Sequence, residues 1–141
     1  MAARDILLQL HASLEAYAPL VALTGHQIGA TTLQSGARII GDAVRLRPHP
    51  VPGIVLGLGL KTAGRGGPSQ PEKIWAVTLT VYGRDVFEVA AMLDALETWA
   101  ADTRWTNSGI RRVLWESAQQ VEVTEEQQFI AAIVNLSVMY L

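Results

Sequence analysis

The chain has 141 residues, half of them apolar and 17% charged, with eleven basic side chains against thirteen acidic ones and no cysteine. That length suits one domain over 1–141 with a real core, and the low charge excludes disorder. A near-neutral balance with no basic run beyond Arg111-Arg112 excludes nucleic-acid affinity built on phosphate neutralisation, and the missing thiols exclude disulfides, a thiol nucleophile and thiolate metal sites.

Ile6, Leu7, Leu10, Leu14 and Tyr17 recur at helical spacing and predict an amphipathic helix over 3–17. This stretch carries charges too often for a signal peptide. Apolar runs such as 130–134 are far short of the ~20 residues that cross a bilayer, so no membrane partner is expected. Pro19 lacks an N–H and opens a second short helix over 19–23, which Gly25 closes in the left-handed conformation. Residues 26–35 are small and polar and read as a loop. Residues 37–47 hold a short irregular strand or two. Pro48, Pro50 and Pro52 make an extended connector.

Residues 53–60, GIVLGLGL, read as a strand in which Gly57 and Gly59 mark a bulge or a close neighbour. The next eleven residues, 62–72, contain three glycines and two prolines. They are the clearest loop in the chain, the projecting tip of a hairpin, over about 61–73, that 74–82 closes. Trp75, Val77, Leu79 and Val81 form the apolar face of that closing strand; Ile74, Ala76, Thr78, Thr80 and Tyr82 form a semi-polar one. Asp85 with Glu88 makes a capping-box pattern for a helix over 85–101. Val86, Val89, Leu93, Leu96 and Ala100 are its expected buried stripe. Residues 110–123 and 130–141 alternate around a polar turn at 124–127 and predict a long terminal hairpin. The fold class is therefore α+β: a mixed, largely antiparallel sheet with an N-terminal helix and one long helix on one face.

Chemistry-bearing constellations are scarce. His11, His26 and His49 fall on a helix, a loop and a connector without ligand spacing, and read as surface histidines rather than metal ligands. Residues 57–62 resemble a phosphate loop but put Leu60 where glycine must precede Lys61-Thr62, and no helix follows. Glu125-Glu126 and Asp94 with Glu97 are solvated carboxylates, not an acid–base pair, which requires burial. The serines lack a nucleophile-elbow context. No enzyme and no cofactor is expected. Low charge and positive mean hydropathy leave apolar surface on a monomer, which favours self-association. Trp105 on a polar loop, with Arg104 beside it, is a candidate interface anchor.

Element order and residue types together resemble the tail-completion or tail-terminator proteins of long-tailed phages and prophages. The resemblance runs through the N-terminal helix, Leu23-Thr24-Gly25, Pro52-Gly53-Ile54-Val55-Leu56, the strand from Trp75 to Gly83, the helix with Leu93-Asp94-Ala95-Leu96, and the hairpin of Val113-Leu114-Trp115-Glu116 with Ile133 to Val138. It implies a non-enzymatic ring subunit, six-fold in that family, at the head-proximal end of the tail. Such a subunit caps the tail tube and docks it to the head connector, with genomic DNA passing through the lumen. Its partners would be itself, the tail-tube protein and the connector or neck proteins; its location would be the virion, and the host cytoplasm during assembly. In that setting Lys61 and Arg65 on the glycine-rich loop are candidate contacts to a neighbour, the tube or the DNA. Alternatives are a neck or connector subunit of related fold and a small-ligand-binding module.

Overall fold

The computed structural model describes residues 3–41, 49–62, 73–106, 108–121 and 128–140, the side chains at 60–62 excepted. Its elements in chain order are α1 (Ala3–Glu15), α2 (Ala18–Thr24), β1 (Ile39–Gly41), β2 (Gly53–Thr62), β3 (Lys73–Gly83), α3 (Val86–Asp102), β4 (Ile110–Val121) and β5 (Ile130–Tyr140). The strands form one sheet in the order β1-β2-β3-β5-β4. β1 is parallel to β2 and every other pairing is antiparallel. α3 carries the chain from β3 over β5 to β4, so β3 and β4 run the same way with β5 between them.

The period-two pattern of β3 and β5 gives the sheet two unlike faces. Trp75, Val77, Leu79 and Val81 on β3 and Ala132, Val134, Leu136, Val138 and Tyr140 on β5 are all buried. They pack with Ile6, Leu10 and Leu14 of α1, Leu20 of α2, and Val89, Met92, Leu96 and Trp99 of α3 in a single core. All three helices therefore lie on one face, as the alternation predicts.

Local signals act where expected. The chain bends by 79° between α1 and α2. Pro19 sits in the first turn of α2, and Gly25 closes it at φ 72° with its amide on the Val21 carbonyl. The pairing of β2 with β3 slips between Leu58 and Lys61, which is the irregularity that the paired glycines signalled. A Cβ at Gly59 would stand 2.6 Å from the Ala76 carbonyl oxygen, so the strands' close approach needs glycine there.

Two details of α3 differ from expectation. The helix is apolar nearly all round, so a 3.6-residue stripe has two solutions. The buried set is Val89, Met92, Leu96, Trp99 and Ala100, while Val86 is half exposed and Leu93 only half buried. The cap is also displaced by one residue on one side. Asp85 Oδ1 accepts from the Glu88 amide at 2.8 Å as predicted, but the Glu88 carboxylate accepts from the Arg84 amide at 2.9 Å and forks onto the Arg84 guanidinium at 2.6–3.2 Å. The loop expected at 61–73 is narrower, because β2 reaches Thr62 and β3 begins at Lys73. Its remaining residues lie outside those described, as do the turn expected at 124–127 and most of the second half of 37–47.

The cap gives a stability prediction. Asp85→Ala strands the Glu88 amide and lowers unfolding free energy by about 1 kcal/mol in urea titration, while Asp85→Asn retains most of it.

Candidate functional site

The helix-free face of the sheet is open. Reading across β2, β3, β5 and β4, its rows are Val55, Thr80, Ile133 and Gln119; then Gly57, Thr78, Asn135 and Ser117. Beyond them Ala76, Ser137 and Leu114 form one row, and Ile74, Met139 and Arg112 another. Most of these side chains are half buried or exposed. Asn135 donates to the Ser117 hydroxyl at 3.1 Å, and Arg112 lies 3.1 Å from the Met139 sulfur. Among the described residues paired on this face there is no carboxylate, and Arg112 is the one charged side chain. At one end His49 stacks on Tyr82 at 4.7 Å, and Phe129 stands edge-on to both rings.

The far end of β4 is exposed on both faces. Ala118 and Gln120 pair with Val134 and Ala132 of the helix side yet are exposed. β4 is also a sheet edge, and Arg111, Arg112 and Glu116 stand exposed along it. Charges on an edge strand oppose indiscriminate strand pairing.

The other edge is the three-residue β1, and it is pinned by side chains rather than by length. His26 is 3% exposed, which corrects the expectation of a surface histidine. Its Nδ1 accepts from the Arg38 amide at 2.9 Å and the Ile39 amide at 3.1 Å. With Nδ1 accepting twice, the proton sits on Nε2, which donates to Glu15 Oε1 at 2.7 Å. Glu15 also accepts from the Gly29 amide, and His11 Nε2 donates to the Ile39 carbonyl at 2.8 Å. The small polar loop thus folds over because its backbone amides find acceptors on α1 and His26. Burial works to raise the Glu15 carboxyl. The hydrogen bonds from His26 and Gly29, with the nearby His11 and His26, outweigh it and hold the group below its ordinary value. Glu88 is likewise held down by its bonds to Arg84.

Beside this pin lies a groove of about 810 Å³ between α1 and β2, bordered by Leu7, Leu8, Ile40, Gly41, Leu56 and Leu58. Leu8 is 51% and Leu58 64% exposed. Arg4, His11 and Thr31 supply its few polar groups. Neither the groove nor the burial of His26 was foreseen in the sequence.

Of the residues singled out from sequence, Arg104 is exposed and Trp105 half buried. The Trp105 ring stands edge-on to Trp99 at 6.4 Å, and its Nε1 is shielded with no partner among the described residues. Lys61 is placed by its backbone opposite Trp75, and Arg65 lies outside the described residues. Asp94 and Glu97 are exposed on α3. His11 and His26 approach edge-on at 6.2 Å, but the described residues include no cluster suited to a metal ion. No single described helix is long and apolar enough to cross a membrane.

No protein-family model matches the chain, and no curated protein matches it. A solved structure does. A chain from the "Virion of native gene transfer agent (GTA) particle" superposes with a TM-score of 0.61 over 93% of this chain and 90% of that one. At 17% identity the likeness is one of fold.

Two predictions follow from the pin. His26→Phe leaves the Arg38 and Ile39 amides without their acceptor, a loss of roughly 1–3 kcal/mol per stranded amide. Hydrogen exchange should then quicken at Ile39–Gly41 and stay slow in β3 and β5. Glu15 has its carboxyl lowered in the folded state, so its contribution is complete above the unfolded value of about 4.3 and disappears as pH falls through the folded one. Glu15→Gln should therefore be less stable than the parent near neutral pH, with the gap closing below pH ~4; a gap unchanged to pH ~2 would contradict the assignment.

Proposed function

We propose that this chain is a structural protein of a phage-like virion, a ring subunit at the head-proximal end of a tail that caps the tail tube and joins it to the head connector. The observation that carries the reading is the fold likeness, along nearly the whole of both chains, to a chain of a gene transfer agent virion. The element order that resembles tail-terminator proteins points the same way.

The surfaces suit the role. A ring made of one kind of subunit needs two different complementary patches on each copy. The open sheet face would line the lumen. A lumen that passes DNA must neither grip nor repel it strongly, because phosphate affinity grows with each neutralising cation and like charge repels. A face of Thr, Ser, Asn, Gln and apolar side chains, with Arg112 the one charge and no carboxylate among its paired described residues, meets that need. The charged exteriors of α3 and β4 would meet the tail tube and the connector, and the loop with Lys61 and Arg65 would reach one of these neighbours or the DNA. The protein acts without a cofactor or catalysis, in the virion and, during assembly, in the host cytoplasm.

The groove between α1 and β2 favours a second reading, a small-ligand-binding module, since such sites are concave and mostly apolar with a few polar groups. Size exclusion with light scattering at several concentrations, alone and with tail tubes, separates the two. The ring reading predicts a closed species with an open centre in negative stain. A strict monomer under every condition would contradict it. Deleting residues 64–69 should leave the fold intact and weaken tube attachment; unchanged tail assembly would remove the loop from the account.

A further inference from the structure

The most exposed large apolar side chain among the described residues is Phe87, at 82%, beside Val86 at 50%. Both stand on the first turn of α3. That turn is held stiffly, by the Asp85 cap and by the Arg84–Glu88 fork. A rigid apolar knob loses little freedom on binding, which favours its use as an anchor. The apolar groove lies elsewhere on the molecule. It is built on α1, β1 and β2, whereas α3 packs on α2, β3, β4 and β5.

We propose that the groove between α1 and β2 receives Phe87 of a second copy of this chain. The charges match. Exposed Arg4 lines the groove and has no ion pair among the described residues, while the knob carries the exposed carboxylate of Asp85 two positions before Phe87. Opposite charges at the edge of an apolar contact fix its register and discourage wrong partners. The groove also has room. A Cβ at Gly41 would meet no described residue within 4 Å, so none of these closes the border at that point. Knob and groove are different surfaces on one subunit, so the contact is heterologous. It repeats from copy to copy until a rotation closes it into a ring. The inference rests on the ring reading for that closure and names the contact that makes it.

The chain has no cysteine, so engineered thiols report this contact alone. Val86→Cys, which leaves the Phe87 anchor in place, and Leu58→Cys are combined in one chain, concentrated under mild oxidation and run on a denaturing gel. The expected result is a covalent ladder ending at the copy number of the ring. Each single variant alone gives no ladder, and an equal mixture of the two stops at a dimer. Gly41→Phe fills the groove and should abolish assembly while circular dichroism shows an unchanged fold. Rings in negative stain without a ladder overturn the knob and groove but leave the ring standing. No assembly of the parent chain, alone or with tail tubes, overturns both.

Discussion

The sidedness of the sheet governs the rest of this molecule. β3 and β5 are central strands with strict alternation, and a slip of one residue would turn every core side chain outward. Trp75, Val77, Leu79 and Val81 must face the helices, so Thr78, Thr80 and Tyr82 must face away. Three helices cover one face except at the far end of β4 and beside Leu58, and among the described residues the other face is largely uncovered apart from the end where His49 and Phe129 pack on Tyr82. An open face of this extent, poor in charge, is unusual on a protein that stays alone, and it becomes sensible when that face meets a lumen or a neighbour.

Edges are the second constraint. An open sheet has two, and each is managed differently. β4 is long and carries Arg111, Arg112 and Glu116 along its exposed edge, which discourages casual pairing. β1 is only three residues long and has little ladder of its own. Its place depends on His26, which turns two backbone amides toward a single ring nitrogen, and on Glu15, which orients that ring. The same pin fixes the border of the groove at Ile40 and Gly41. Local hydrogen bonding, edge geometry and the shape of a binding surface are thus one chain of causes.

Much of the fold was legible because its signals are local. The alternation of 74–82, the capping pattern at Asp85, the left-handed glycine at Gly25 and the terminal hairpin each follow from residues within one element. The misses involve partners far apart in sequence. His26 sits among small polar residues, and nothing there announces acceptors for amides twelve and thirteen positions later. α3 is apolar on too many sides for period alone to choose its buried face, so Met92 is in the core while Val86 is half exposed and Leu93 only half buried. Trp105 looked stranded on a polar loop because its companion, Trp99, belongs to another element. The groove is made by α1, β1 and β2 together and has no signature in any one of them.

The central claim is that the helix-free face looks inward on an assembled ring. Electron cryo-microscopy of the closed oligomer, formed alone or on tail tubes, tests it directly. The account predicts Thr78, Asn135 and Ser117 lining the channel and α3 turned outward. A reconstruction with the helices on the lumen, or with two open sheet faces packed against each other, would contradict it.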